Sequence, residues 1–362
     1  MSPSEAARLT ALAEQFMLAA PVRRVEPFGT GLINRTYLVT TSGPRYVLQR
    51  LNDQVFPEPA AILANLARLT AHRLRHPAAG LRLPRLIPGR CGRLGIDDEA
   101  GALWRMLDFL GDTEVVTHLA TMEQAFTVGT LVGRFHRLCS DLDPSDFAIA
   151  LPDFHATPLY MARLEQVVAD IDPTTQPATV QSALSFVAER RALADALEGP
   201  RAAGRVPMRI VHGDPKLDNL LFDQRGQRAI GLVDLDTLQP GLIPHDIGDL
   251  LRSVCNPRRE SDREARFDID LCAAVLDAYA AETKPFLAEA EIALIAPAIR
   301  LLPLELGVRF LTDHLEGDRY FRVRRPGDNL DRAMAQFSLV ADIETKAATL
   351  RRVIAAAFGV GG

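Results

Sequence analysis

The stretch RIVHGDPKLDNLLFD, residues 209–223, sets a polar loop between two apolar segments that have the character of strands. In this loop, the spacing H-x-D-x-K-x-x-N places Asp214 and Lys216 between His212 and Asn219. Phosphoryl transfer needs a carboxylate that orients the attacking hydroxyl and accepts its proton, and a cation near the moving phosphoryl group. We therefore predict Asp214 as the catalytic base and Lys216 as the catalytic cation, and we predict that His212 fixes the loop.

A second apolar segment, GLVDLD, ends in two acidic residues, and Asp234 follows Asn219 by fifteen positions. Mg²⁺ binds oxygen ligands such as carboxylates and carboxamides. We therefore predict Asn219 and Asp234 as magnesium ligands, fixed on the strands that flank the loop. Asp236 fits two interpretations, a second carboxylate near the metal or a hydrogen-bond partner of the next loop.

A glycine turn near the N-terminus is a candidate for binding the phosphates of a nucleotide. FGTGLINRTYLV predicts a strand, a turn and a second strand, so Gly29, Thr30 and Gly31 could bring backbone N–H groups close to phosphates. A plain hairpin turn is the alternative interpretation. The next strand, YVLQR, places Arg50 where a protein kinase has its phosphate-pairing lysine.

Lysine is rare in this chain, which has 41 basic residues but lysine only at positions 216, 284 and 346. Its presence in the polar loop favours a chemical role for Lys216, although a solvent-facing side chain is the alternative. Almost all other basic residues are arginines.

The surrounding pattern predicts two kinds of structure along the chain. Up to about residue 110, a helix over 4–19 and one over 58–75 accompany short strands and glycine turns. The rest is mostly helical, with helices predicted at 121–140, 158–171, 176–197, 243–255, 262–283, 289–315 and 328–358. We expect an α+β, bilobal fold, with a small antiparallel sheet in the N-terminal lobe, a larger helical C-terminal lobe and the site between them.

Composition limits the classes of partner. A formal charge of −5 gives no basic footprint for nucleic acid or an anionic membrane, and no apolar run is long enough to span a bilayer. The first residues predict an amphipathic helix with Glu5 and Glu14 rather than a signal peptide. Four scattered cysteines fit reduced thiols, so we expect a cytoplasmic protein. The oligomeric state is not predicted.

The motifs HGDPKLDN, VDLDT and HDIGDLLR together resemble the aminoglycoside phosphotransferase and choline kinase superfamily, which has a protein-kinase-like fold. Longer blocks, among them PFGTGLINRTYLV, YVLQRLNDQVFPEP and FLTDHLEGDRYFRV, resemble its N-acetylhexosamine 1-kinase branch, from about residue 26 to 346. The resemblance implies an ATP- and Mg²⁺-dependent kinase that phosphorylates the anomeric O1 of GlcNAc or GalNAc. It also implies a nucleotide-binding lobe over 1–110 and a catalytic and substrate-binding lobe over 111–362.

The resemblance assigns roles to further residues. Gly29 to Asn34 would form the loop over the phosphates, and the backbone from Met106 through Asp108 to Leu110 would meet adenine. Asp246 would brace the catalytic loop from the following helix. In the sugar pocket, the resemblance implies Asp214, Arg309, Asp313 and Tyr320.

Two departures from protein kinases make a phosphate-clamping role for Arg50 uncertain. Asn34 stands in place of a third glycine, and the helix at 58–75 offers Asn65 rather than a glutamate in its middle. Two other functions stay open. One is the same reaction on an aminoglycoside, choline or another small alcohol, and the other is a nucleotide-binding regulator without turnover.

Overall fold

A computed structural model describes residues 1–29, 33–77, 80–172, 175–257 and 264–360. Its strands are β1 (Val22–Pro27), β2 (Arg35–Thr41), β3 (Arg45–Arg50), β4 (Leu86–Ile87), β5 (Ile96–Asp97), β6 (Leu103–Asp108), β7 (Thr113–Glu114), β8 (Arg209–Val211), β9 (Leu220–Asp223), β10 (Ala229–Leu232) and β11 (Gln239–Gly241). Its helices are α1 (Pro3–Ala13), α2 (Pro59–Arg75), α3 (Met122–Cys139), α4 (Thr157–Ala169), α5 (Ala178–Glu189), α6 (Asp195–Ala202), α7 (Ile243–Val254), α8 (Ile269–Thr283), α9 (Glu289–Ala293), α10 (Ile295–Leu315), α11 (Asp328–Thr345) and α12 (Ala347–Phe358). The predicted α+β fold class, with an antiparallel sheet and many helices, is confirmed.

The large sheet has the strand order β1-β2-β3-β6-β4, with β5 also paired to β6, and its neighbours run antiparallel. One face packs against α1, where Leu9 and Phe16 join Leu48 and Trp104 in a buried cluster. The other face carries Leu107, which belongs to the core of the rest of the chain. Both faces of the sheet are therefore covered.

The helical part is organised around two close helix pairs. Helix α3 crosses α8 at Gly129, where a Cβ atom would lie 2.1 Å from the carbonyl oxygen of Val275, so only glycine permits this approach. Helix α10 packs against α4, α7 and α11. Its buried residues, such as Leu304 and Val308, share a core cluster with Val206 before β8 and Leu242 before α7.

The predicted helices at 58–75 and 121–140 are found as α2 and α3. The predicted helices at 289–315 and 328–358 each divide into two, at Leu294 and Lys346. Strand β11 was not predicted. It pairs with β8, so it extends the support of the catalytic loop.

The division at residue 110 stays a prediction. Strand β6 ends at Asp108 within the large sheet, whereas β7, the next strand, pairs with β9. In the described ranges, no helix is long and apolar enough to cross a membrane. All four cysteines, each within those ranges, are free thiols.

Candidate active site

The β9–β10 hairpin brings the two predicted metal ligands together. The antiparallel register pairs Leu220 with Leu232, and the N–H of Val233 donates to the Asn219 carbonyl at 3.0 Å. Asn219 directly precedes β9 and Asp234 lies two residues after β10, so both stand at one end of the hairpin. This short connection explains how a fifteen-residue spacing becomes a local cluster.

Asp214 lies at the centre of the polar loop, with its side chain 24% exposed. The Lys216 ammonium donates to its Oδ2 at 2.6 Å. The Asn219 carboxamide donates to the carbonyl oxygen of Asp214 at 2.7 Å and to Oδ2 at 3.2 Å. Burial would raise the pKa of Asp214, but the charge and hydrogen bond of Lys216 and the charge of Arg252 lower it, so the group is ionised at neutral pH.

A fully buried carboxylate holds the start of this loop. Asp246, on α7, accepts the backbone N–H groups of His212 and Gly213, each at 2.8 Å. It also accepts from Nε2 of His136 at 2.9 Å, and the other ring nitrogen of His136 lies 2.7 Å from the Tyr279 hydroxyl. Burial would raise the pKa of Asp246, but the hydrogen bond and charge of His136 and the hydrogen bond from the backbone N–H of His212 lower it.

His212 is the second fixing element of the loop. Its Nε2 lies 3.1 Å from the Val233 carbonyl, and the backbone N–H of Asp214 donates to its Nδ1 at 3.3 Å. A carbonyl only accepts and an N–H only donates, so Nε2 carries the single proton and the ring is neutral. Burial lowers the pKa of His212, in agreement with that state. The ring thus connects the loop to the segment that leads to Asp234.

Asp234 has the chemistry of a cation ligand. It sits in the left-handed region at φ 63°, and no hydrogen bond or ion pair to it is found within the described residues. Asp234 is exposed at the surface, but desolvation by the surrounding protein and the charges of Asp236 and Asp214 raise its pKa to about 7. Together with Asn219, which stands at the same end of the hairpin, this excess of negative charge fits a divalent cation.

Of the two interpretations of Asp236, the structure supports the hydrogen-bond partner rather than a free carboxylate. It is buried and forms an ion pair with Nη2 of Arg105 on β6. The same guanidinium donates to Oε1 of Gln49 from Nε at 2.9 Å and from Nη2 at 2.7 Å. Asn34 donates to the second oxygen of Asp236 at 2.5 Å and accepts the N–H of Asn52 at 3.1 Å. The carboxylate thus ties the large sheet to the segment that carries Asp234.

The structure does not bring Arg50 to this cluster. Arg50 pairs across the sheet with Trp104, and its charge helps to lower the pKa of Asp98. Directly paired residues share one face of an antiparallel sheet, so Arg50 lies with Trp104 toward the α1 side. Gln49 and Arg105 share the other face, which points to Asp236. On this face of the sheet, the buried cation that pairs with Asp236 is therefore Arg105, which the sequence did not single out.

The predicted phosphate loop is only partly described. Gly29 has φ 75°, and among the described residues a Cβ there would meet no atom within 4 Å. Thr30 and Gly31 lie outside the described residues. Asn34 does not face the loop opening, because both ends of its carboxamide are engaged with Asp236 and Asn52.

The predicted adenine contacts lie at the end of β6. The side chain of Met106 is buried on the α1 face, and the Asp108 carboxylate accepts the Arg85 backbone N–H at 2.6 Å and its Nε at 2.8 Å. The N–H of Asp108 donates to the Arg85 carbonyl, and that of Phe109 to the Arg45 carbonyl. In the described part of the chain, the N–H of Leu110 has no partner, so it is the donor left for a ligand.

We use the name recess for the group of aromatic side chains around Arg309 on α10, a residue whose charge interacts with that of Asp214. The guanidinium lies between 5.0 and 5.9 Å from the centres of four aromatic rings, those of Phe154, Tyr160, Tyr320 and Phe321. Burial would lower the pKa of Arg309, but the side chains of Tyr160, Glu305, Tyr320 and Asp214 raise it. Arg309 is thus a charged group held among aromatic rings within electrostatic reach of Asp214.

Asp313 does not present its carboxylate to this recess. It is buried, and its two oxygens accept the backbone N–H groups of Arg319, Tyr320 and Phe321 at 2.7–2.8 Å and the Asn329 side chain at 2.9 Å. Instead of binding a ligand directly, it fixes the segment that carries Tyr320. The Tyr320 side chain is exposed at the edge of the recess.

Asn65 on α2, at the position of a kinase glutamate, bonds to backbone rather than to a cation. Its carboxamide donates to the carbonyls of Ala148 and Leu238, each at 2.8 Å, and accepts the Ala148 N–H at 3.0 Å. It therefore anchors α2 to the segments beside the site. Arg105 forms its ion pair with Asp236 instead.

The sequence model of the phosphotransferase enzyme family matches residues 24–283, more than half of the chain. The chain belongs to this family. The fold is also shared with solved structures of low sequence identity, so these show the fold alone.

Three such structures are similar over almost their whole length. The microcompartment-associated aminopropanol kinase has a TM-score of 0.60 at 19% identity, covering 97% of this chain and 98% of its own. The choline kinase from Cryptosporidium parvum Iowa II has a TM-score of 0.60 at 14% identity, covering 98% of each chain. A spectinomycin phosphotransferase in complex with ADP and spectinomycin has a TM-score of 0.55 at 13% identity, covering 93% of this chain and 100% of its own.

Proposed function

We propose that this phosphotransferase is an ATP- and Mg²⁺-dependent sugar kinase that phosphorylates the anomeric O1 of an N-acetylhexosamine. One observation carries the choice of acceptor: four aromatic rings surround the cationic Arg309, whose charge interacts with that of Asp214. Aromatic faces suit the apolar side of a sugar ring, and a guanidinium suits hydroxyl or carbonyl oxygens. The blocks that resemble N-acetylhexosamine 1-kinases support the same acceptor.

In the reaction, the sugar O1 attacks the γ-phosphorus of ATP while the bond from that phosphorus to the bridging oxygen breaks and ADP leaves. Asp214 orients the O1 hydroxyl and accepts its proton. Lys216 stabilises negative charge on the transferred group from its position beside Asp214. Asn219 and Asp234 would hold Mg²⁺, which supplies charge neutralisation of the nucleotide phosphates when bound.

The nucleotide would lie between the large sheet and the β9–β10 hairpin. The residues 29–34 would cover its phosphates, and the free N–H of Leu110 would meet adenine. The ring of Phe28 lies 5.8 Å from that of Phe109, so two aromatic side chains border the same opening. In this arrangement, residues 1–110 form the nucleotide lobe and residues 111–362 form the catalytic and acceptor lobe.

A cationic acceptor is the second candidate, because the structures of similar fold include a choline kinase and an aminopropanol kinase. Recognition of a cation calls for unpaired acids or open aromatic faces. Here, Arg309 places a positive charge among the aromatic rings, and the Asp313 carboxylate is engaged. The positive charge of Arg309 would repel such an acceptor.

Because the four cysteines are free thiols, we propose a cytoplasmic location for the enzyme.

A coupled assay of ADP release tests the acceptor. We expect Mg²⁺- and acceptor-dependent turnover with GlcNAc or GalNAc, and little with choline, aminopropanol or an aminoglycoside at equal concentration. Turnover confined to a cationic acceptor would retire the sugar assignment while leaving the phosphotransfer chemistry in place.

The remaining alternative, a nucleotide-binding regulator, is tested by Asp214→Asn. We expect this variant to bind Mg²⁺-ATP as the wild type does, in a fluorescence or calorimetric titration, but to lose acceptor-dependent ADP release. An equal rate of ADP release in the two proteins would show that Asp214 is not the base.

A further inference from the structure

The buried side chain of His155 joins the catalytic loop to helix α10. Its Nδ1 lies 2.9 Å from Oε1 of Glu305, and its Nε2 lies 2.8 Å from the carbonyl oxygen of Gly213. Thr157 donates to the second oxygen of Glu305 at 2.6 Å. A carboxylate and a carbonyl both accept, so both ring nitrogens of His155 must donate, and the ring is an imidazolium.

The electrostatics agree with this ion pair. Burial would lower the pKa of His155, but the charge and hydrogen bond of Glu305 and the Gly213 carbonyl raise it to about 9. Burial would raise the pKa of Glu305, but His155 above all lowers it to about 2. Other titratable or charged groups face the pair from four helices: Arg309 on α10, Tyr160 on α4, Asp249 and His245 on α7, and Glu198 and Arg201 on α6.

The stacking neighbour of His155 has the opposite state. The ring of His245 lies 5.0 Å from that of His155, and burial lowers its pKa to about 3, so it carries no charge. Both rings and Gly213 border a cavity of about 70 Å³ on the far side of the loop. The charge that faces the Gly213 carbonyl therefore resides on His155.

The same pair is connected to the acceptor recess. Glu305 precedes Arg309 by four residues on α10, so the two side chains lie on one face of the helix. Phe154, the neighbour of His155, lies 5.6 Å below the Arg309 guanidinium. His155 has φ 61°, which is uncommon for a residue other than glycine and gives the segment a sharp turn. One turn of chain thus contacts both the loop of Asp214 and the wall of the recess.

We propose that His155 is a positioning residue for phosphotransfer, which through its bond to the Gly213 carbonyl, and with Glu305 as its anchor, sets the catalytic loop against the acceptor recess. This rests on the proposed function, since it takes Asp214 as the base. Misplacement of a catalytic group by about 1 Å can cost about 100-fold in rate. The effect of losing the pair is therefore expected in kcat rather than in nucleotide affinity.

The test uses the double variant His155→Asn/Glu305→Gln. Asparagine tolerates the positive φ but cannot bridge both partners, and glutamine avoids leaving a buried charge unpaired. We expect kcat to fall at least about tenfold while the Kd for Mg²⁺-ATP stays within about twofold of the wild type. Glu305→Gln alone should keep most activity, because a neutral His155 can still donate from Nε2 while Nδ1 accepts from the carboxamide.

His72→Asn is the matched control. His72 is also a buried histidine, and its Nε2 lies 2.9 Å from a backbone carbonyl, that of Leu138, away from the loop. It should lose stability but keep kcat per folded molecule. A double variant that is folded and retains the wild-type kcat would overturn the proposal, as would an equal loss of kcat in His72→Asn.

Hydrogen exchange separates this inference from the proposed function. If the wild type turns over no acceptor, the proposed function fails, but exchange of the peptide that contains Gly213 still reports on the loop. Faster exchange of that peptide in the double variant than in His72→Asn supports positioning by His155. Unchanged protection refutes it.

Discussion

Removing the guanidinium of Arg105 tests the connection between the large sheet and the catalytic segment most directly. In the Arg105→Met variant, the buried Asp236 carboxylate loses its ion-pair partner, and Gln49 loses two hydrogen bonds to its Oε1. Methionine fills part of the space of the arginine stem but supplies no donor. Among the described residues, Asn34 would then be the remaining hydrogen-bond donor to the buried Asp236 carboxylate.

The magnitude follows from that uncompensated charge. Breaking a buried ion pair by removal of one partner costs about 3–5 kcal/mol, and the side chains of Arg105 and Asp236 are only 2% and 5% exposed. The positive charge of Arg105 also lowers the pKa of Asp234. Its loss should therefore weaken both the fold and turnover.

Urea unfolding and ADP release measure the two effects. Arg50→Met is the matched control, because Arg50 is also on the sheet but lies with Trp104 on the opposite face. We expect the control to stay within about 1 kcal/mol of the wild type. The double variant Arg105→Met/Asp236→Asn should be more stable than the sum of its single changes by about 2–3 kcal/mol, because it leaves no charge unpaired.

The reasoning is refuted if Arg105→Met unfolds at the same urea concentration as the wild type. It also fails if Arg50→Met loses more activity than Arg105→Met, since the phosphate-side cation would then be Arg50. Additive single changes would show that Arg105 and Asp236 do not interact.

Three further outcomes are expected. Gly213→Ala should cost about 2–5 kcal/mol, because a Cβ at φ 86° would lie 2.7 Å from a neighbouring side chain, whereas Gly204→Ala, with φ 63° and open space, should cost only about 1–2 kcal/mol in urea unfolding. The raised pKa of His155 contributes folding stability that is fully present below pH 6.5 and is lost as pH rises through about 9. The lowered pKa of Glu305 contributes folding stability that is fully present above pH 4.5 and is lost as pH falls through about 2. The stability difference between the wild type and His155→Asn/Glu305→Gln should therefore be largest from about pH 4.5 to 6.5 and shrink toward pH 9; a difference that does not vary with pH would contradict the ion pair. Asp313→Asn should raise the acceptor KM by about tenfold, equivalent to roughly 1.4 kcal/mol, with little change in the KM for ATP; an unchanged acceptor KM would show that the segment it fixes does not touch the acceptor.

The helices were predicted well where the sequence carries a residue that marks a helix end. Helices α2 and α3 were predicted closely, since apolar periodicity runs through each and a proline or capping threonine marks the start. The breaks at Leu294 and Lys346 were missed, because the apolar periodicity continues through both. Strand β11 is three residues long and contains Pro240, so its sequence resembles a loop.

The sequence could not show which face of the sheet each side chain of β3 occupies. Alternation normally separates a buried face from an exposed one. Here both faces are covered, by α1 on one side and by the core of the rest of the chain on the other. Arg50 and Gln49 were thus equally suitable by pattern, and only the pairing with β6 distinguishes them.

By itself, the sequence determined the local cluster of Asp214, Asn219 and Asp234, because one loop and one hairpin hold residues that are close in the chain. Tertiary structure decided the partners that fix this cluster. Arg105 meets Asp236 across 131 residues, and His155 meets Glu305 across 150. Such pairs depend on strand register and helix packing over long stretches of chain, and no spacing along the sequence records them.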